Sequence, residues 1–268
     1  MTGPTGTRPL NEVRAAWVAL ESGAFAQPRM DWGAFGVDVA VVGAHGGAGA
    51  TTVALALVEA GGSGQVLELA PVARAGLVAA SRAEQGSIAP GWRRGRRGAV
   101  VIDILDQIAL GGQVPVTTAA SGHGLTVVDL GVLAGSLRGG TVEVVEVAEV
   151  VVVVARACVP GMRALAVALE QISVAAAIVV VVGAPVKRWE RAVAAAMPAL
   201  ARAAHADGRL VTVPVQPSLT VTGITPDPLP KPVLAAAQHL HALVRGAGMP
   251  DEPLRPIPAA GHTLERTH

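Results

Sequence analysis

The feature that most constrains this chain is a series of short β-branched runs at 37 to 42, 66 to 69, 100 to 104, 126 to 130, 150 to 155, 177 to 182 and 210 to 213, several separated by segments of helix length. Most of them are apolar at odd and even positions alike. A strand with one wet face alternates polar and apolar residues, so a run that is apolar throughout predicts a strand buried on both faces. Strands of that kind alternating with helices predict an α/β fold, a three-layer α/β/α sandwich with a mostly parallel sheet and right-handed crossovers. The helical segments fall at 51 to 60, 161 to 172, 188 to 204 and 231 to 244. Hydrophobic residues make up 51% of the chain but aromatics only 2%, so the core must be assembled from Val, Ala and Leu.

The same runs are too short for a bilayer. "VVVVVA" is bounded by Glu149 and Arg156, and "ISVAAAIVVVVGAP" ends at Pro185, whereas a membrane helix needs about 20 apolar residues. The expected organisation is an extension over 1–36, one domain over 37–246 and a proline-rich, disordered tail over 247–268 holding Pro250, Pro253, Pro256 and Pro258. Within the extension, Val13, Trp17 and Leu20 recur at helical spacing. They predict a short helix docked on the domain, with a partner-binding or membrane-surface helix as the alternative. Arg8, Glu12, Arg14 and Glu21 interrupt the first 30 residues, so no secretory signal is expected. With Cys158 the single cysteine, no intramolecular disulfide can form and a reducing, cytoplasmic location is expected. A net charge of +1 gives no bulk attraction to nucleic acid or anionic lipid.

Candidate chemistry sits in "VDVAVVGAHGGAGATTVALAL", residues 37 to 57. A buried strand runs into glycines and then into a helix. Gly46, Gly47 and Gly49 permit a tight turn whose backbone N–H groups converge, and the helix beginning near Thr51 aims its positive end at the same point. Such a nest can hold phosphate without side chains. Thr51 and Thr52 stand where a phosphate-binding loop puts a hydroxyl on Mg²⁺, but Ala50 occupies the place of the lysine.

Three other features are weaker. "RRGRR", Arg93 to Arg97, is a basic cluster that reads as a solvated loop, with DNA or an acidic partner as the alternative. Asp103 and Asp106 read as a strand edge and turn rather than as an acid-base pair. Cys158 lacks a His or Cys neighbour and reads as a small buried residue.

The stretch "HGGAGATT" resembles the deviant Walker A motif of the ParA/MinD superfamily, K-G-G-x-G-K-T-T, with His45 at the signature lysine and Ala50 at the loop lysine. "QVLELAPVARAGL" resembles the second strand and its D-x-D-P turn, with Glu68, Ala70 and Pro71 at the matching places. "LTVVDLG" resembles the Walker B strand and puts Asp129 where the family holds magnesium through water. "VAEVVVVVARACVPGMRALAVALEQI" and "AAIVVVVGAP" resemble the following strand, helix and strand. "GRLVTVPVQPSL" is similar to the last strand and the loop near the adenine, which carries Pro214. Loops of the form G-G-A-G-A followed by two hydroxyl residues resemble the CpaE/TadZ pilus-assembly branch and actinobacterial septum-site-determining proteins, where the loop lysine is often absent. "WRRGRRGAVVIDIL" and "VVARA" are similar to that branch as well.

The resemblance implies a P-loop fold binding ATP or ADP with Mg²⁺ through His45, Gly46, Gly47, Gly49, Ala50, Thr51, Thr52 and Pro214, the metal falling to Thr51 and Asp129. It also implies a homodimer. Loss of a charged contact costs on the order of 2 to 5 kcal/mol, which moves a micromolar site to roughly 30 μM to a few mM. Phosphoryl transfer depends on positioned charge, and Ala50, His45 and Ala70 remove two lysines and a carboxylate of the family pattern. The expected function is therefore a non-hydrolysing adaptor or positioning factor in a pilus, secretion, division or mobile-element system, working through protein partners. A slow atypical ATPase and a DNA-associated partition protein are the alternatives.

Overall fold

A computed structural model describes residues 14, 29–70, 75–106, 114–120, 124–132, 140–172 and 177–247. Among the described residues, nine strands form one sheet in the order β3-β4-β5-β2-β6-β1-β7-β8-β9. The strands are β1 (Val39–Gly43), β2 (Gly64–Glu68), β3 (Ala83–Ala89), β4 (Trp92–Arg97), β5 (Val100–Leu105), β6 (Leu125–Val132), β7 (Val150–Arg156), β8 (Ile178–Val182) and β9 (Leu210–Val213). All neighbours from β5 to β9 pair in parallel, and β4 is antiparallel to both β3 and β5. The helices are α1 (Trp32–Phe35), α2 (Ala50–Ala60), α3 (Gly140–Val147), α4 (Val159–Ile172), α5 (Arg191–Ala196), α6 (Ala199–Ala206), α7 (Pro217–Thr222) and α8 (Lys231–Ala247).

The sequence's unbroken apolar runs are explained by two cores, one on each face of the sheet. Val39, Val41, Val150, Val152, Val154, Ile178, Val180 and Val182 point to the face covered by α2 and α8. Ala40, Val42, Val151, Val153, Ala155, Val179 and Val181 point to the opposite face, where α4 and α6 lie. Successive side chains of a strand alternate sides, so with both sides dry neither parity can be polar. The three-layer sandwich is thus the direct outcome of the sequence pattern. The segment 29–36 also joins the second core, through buried Met30 and Trp32 and a Met30 N–H donated to the Val114 carbonyl at 2.9 Å. The helix expected around Val13 to Leu20 lies outside the described residues, apart from position 14, and so does the proline-rich tail beyond 247.

Four expectations are corrected. Arg93 to Arg97, read as a solvated loop, lie in the second strand of a β-hairpin, and its arginines are mostly engaged: Arg94 donates to both carboxylate oxygens of Asp103 at 2.7 Å, and Arg97 is 5% exposed. "RRGRR" hides its strand because arginine and glycine are poor strand formers. The central glycine is required by packing, since a Cβ on Gly95 would stand 2.1 Å from the Ser81 hydroxyl oxygen. Asp103 is not at an edge: β5 lies between β4 and β2, and the carboxylate is fully buried in its ion pair with Arg94. The helix expected over 188 to 204 is two helices, α5 and α6. Pro198 has no N–H to donate and forces Met197 into an extended conformation. Cys158 is half-buried rather than buried, and its Sγ accepts the Gly161 N–H at 3.4 Å.

Candidate functional site

β1 sits near the centre of the sheet, and the chain leaves its carboxyl end into the turn 44 to 49 before entering α2. Ligand loops of parallel sheets collect at that end. The Ala44 N–H donates to the Val154 carbonyl at 2.8 Å and pins the start of the turn to β7. Gly47 and Gly49 have φ of +72° and +100°, a region that favours glycine over any side chain. Gly49 is the N-cap of α2 and offers no side-chain cap, and the first turn of the helix carries no acidic residue. The first N–H groups of α2 therefore keep their donor capacity and partial positive charge for a ligand.

Two cavities flank this turn. One of about 490 Å³ extends from Gly43 and the turn to Ala50 and Thr51, and is closed by Leu69, Ala70, Leu130, Gly131 and Val132. The other, of about 460 Å³, has apolar walls of Val53, Val182, Val213 and Val233, a polar rim with Gln216 and Thr220, and Pro214. Both are lined by His45, Gly46, Gly47, Gly49 and Thr52, so they are two lobes of one groove straddling the turn. Each lobe is of ligand size. One lobe or the other thus gathers His45, Gly46, Gly47, Gly49, Ala50, Thr51, Thr52 and Pro214.

Beneath the first lobe lie two buried carboxylates. Glu68 and Asp129 are register partners on the adjacent strands β2 and β6, both fully buried. Burial first, and then the charge of Asp129, raise the Glu68 carboxyl to about 7, opposed by the N–H groups of Leu77 and Gly76. Those N–H groups donate to the two carboxylate oxygens at 3.0 and 2.6 Å. Burial also raises Asp129, against hydrogen bonds from the Thr51 hydroxyl and the Gly131 N–H. Asp129 Oδ2 is buried without a hydrogen-bond partner. A hard divalent cation takes oxygen ligands, so an orphaned carboxylate oxygen beside a threonine hydroxyl fits Mg²⁺ held through Thr51 and Asp129. Among the described residues no cluster of three or more His, Cys, Asp or Glu side chains offers another metal centre.

His45 is more constrained than its sequence position suggested. Its Nε2 lies 3.3 Å from the Arg156 backbone nitrogen and its Nδ1 lies 2.8 Å from the Gly46 carbonyl oxygen. An N–H can only donate and a carbonyl only accept, so these contacts make Nδ1 the donor and Nε2 the acceptor. The imidazole ties the turn to the end of β7. The residue that the sequence reading missed is Arg156, which lines the second lobe. Its signal was available: it ends the apolar run of a strand flanking β1, two residues past the last valine, where the loops gather.

A scan against family models finds no match, and a search of curated proteins finds none either. Among solved structures, the chain is similar to the MinC:MinD cell division protein complex of Aquifex aeolicus at 16% identity, over 82% of this chain and 99% of that one, with a TM-score of 0.49. It is similar to a ParA family ATPase from Chlorobium tepidum TLS at 14% identity, over 79% and 98%, with a TM-score of 0.49. A third similar structure is the MinD cell division protein of Aquifex aeolicus, at 16% identity, over 82% and 100%, with a TM-score of 0.48.

Proposed function

We propose that this protein is a nucleotide-binding adaptor that holds a nucleoside di- or triphosphate weakly and works through the protein surfaces around the filled groove rather than through hydrolysis. The observation that carries the reading is the turn itself. Its two left-handed glycines and an uncapped helix start form a ready phosphate nest, while two of the residues lining the first lobe, Ala50 and Ala70, bear no polar side-chain atom. Binding by backbone donors survives such a composition; charge stabilisation of a transferring phosphoryl group does not.

In this reading the phosphates lie over the turn, Thr52 faces both lobes, and the ring system enters the apolar second lobe beside Pro214. Mg²⁺, held through Thr51 and Asp129, would supply charge neutralisation to the phosphates. A homodimer, a cytoplasmic location and service in a pilus, secretion, division or mobile-element system belong to the same proposal. Among the described residues no helix is long and apolar enough to cross a membrane.

Two measurements test it. Heat denaturation of the purified protein followed by anion-exchange chromatography should release nucleotide, or titration of the stripped protein with ADP and Mg²⁺ should give a dissociation constant in the range of roughly 30 μM to a few mM. Steady-state ATP turnover should match a protein-free blank. Turnover of ~1 per second that Asp129→Ala abolishes would establish an enzyme instead.

A further inference from the structure

Among the described residues, Lys and Arg are missing from the lining of the first lobe, and Arg156 alone represents them in the second. Its direction follows from strand parity. Val150, Val152 and Val154 of β7 point to the α2 face of the sheet, so Arg156, two residues on, points the same way. It is the register partner of Val182 on β8, itself a wall of the second lobe. Its backbone N–H is bound to His45 at the start of the turn. Among the described residues, none of the ion pairs formed engages the Arg156 guanidinium. The other arginines of this sheet are engaged: Arg93 by Glu84 and Asp106, Arg94 by Asp103, Arg97 by Glu59, with only Arg96 exposed on the hairpin. An unpaired, half-buried guanidinium beside a backbone phosphate nest is poised to bind an anion bidentately.

We propose that Arg156 is the anion-binding cation of this site, gripping the polyphosphate of a ligand on the turn from the end of β7, across the groove from the helix position where Ala50 leaves no charge. The assignment rests on the nucleotide reading above and adds to it a specificity: the site selects for the phosphate chain more than for the ring. The charge has moved from the first residue of α2 to the end of a neighbouring strand, where it approaches the ligand from the other wall.

The test uses the full chain, wild type and the variants Arg156→Gln and Arg156→Lys, with calorimetric titration of ADP, adenosine and inorganic tripolyphosphate in the presence of Mg²⁺. Gln keeps length and polarity without charge, and thermal unfolding of the ligand-free variants checks that the fold is kept. Net hydrogen bonding to a charged group predicts a loss of roughly 10- to 100-fold for ADP and tripolyphosphate in Arg156→Gln. Adenosine should change by less than about twofold, and Arg156→Lys should recover part of the loss. Arg156-dependent binding of tripolyphosphate with no binding of ADP would keep this assignment and sink the nucleotide reading. ADP and tripolyphosphate binding unaffected by Arg156→Gln would do the reverse. Equal losses for ADP and adenosine would place Arg156 on the ring and overturn the assignment, and wild type that binds none of the three ligands would overturn both.

Discussion

Glu68 and Asp129 face each other across adjacent parallel strands, and the hydrogen bonds that hold Glu68 come from the backbone of Gly76 and Leu77. A Cβ on Gly76 would stand 2.9 Å from the Thr51 methyl.

That relationship gives stability a pH dependence of definite sign. Glu68 is raised from 4.5 in the unfolded chain to about 7 in the folded one. Between those values the native state binds the extra proton, so the contribution is fully present below about 4.5 and is lost as pH rises through 7. A shift of this size corresponds to about 3 kcal/mol at most. Urea midpoints should fall from pH 5 to pH 8, and Glu68→Gln should flatten the slope. Equal slopes in the two proteins would show that Glu68 does not titrate in this window.

Arg97 should be among the most costly charged side chains to remove. From β4 it donates to Glu59 at the end of α2, to the Ala80 carbonyl, and to the carbonyls of Thr225 and Asp227. One guanidinium thereby ties the hairpin to the loop leading into α8. Arg97→Met strands a carboxylate and several carbonyls, a loss on the order of 3 to 5 kcal/mol. Arg96→Met, at an exposed position of the same strand, should stay within about 0.5 kcal/mol. Denaturant unfolding of both variants checks the contrast, and similar small losses would show that Arg97 is replaceable.

The contrast also marks what could be read in advance. Strands β1, β7 and β8 were legible because two dry faces leave a valine run no room for polar residues. The turn was legible because glycine at 47 and 49 has a conformational cause. The hairpin was not, because β4 satisfies its arginines with partners 9 to 130 residues away, and spacing within a strand carries no trace of them. For the same reason the hydrogen bonding of the His45 ring was hidden: it depends on the Arg156 N–H, 111 residues later. Asp129 was found as a position, but its orphaned oxygen is a property of packing.

Gly49→Ala tests whether the turn's geometry or merely its smallness matters. At φ +100° any side chain is strained, and the new Cβ would approach the Val182 methyl at 3.3 Å. The expected cost is about 1 to 3 kcal/mol of stability, together with loss of tripolyphosphate binding as the helix N-terminus is displaced. Unchanged affinity in a destabilised protein would show that the nest tolerates the distortion and that another group holds the anion.

Ala50→Lys asks whether the groove is a working binding site short of one charge. Ala50 opens α2 and lines the first lobe, so a lysine there can extend into the lobe without altering the glycine turn. The added contact should be worth about 2 to 5 kcal/mol of binding. A ligand that binds only the native state stabilises it by RT ln(1 + [L]/Kd), about 2.7 kcal/mol at a hundredfold excess. For a chain of this size that is a rise in Tm of roughly 5 to 10 °C. ATP with Mg²⁺ should therefore shift the variant well beyond wild type. No ligand-dependent shift in the variant would mean that the lobe cannot admit phosphate. An equally large shift in both proteins would mean that the wild type already has its cation, and combining Ala50→Lys with Arg156→Gln would then identify it, because only the lysine variant should retain binding when the guanidinium is removed.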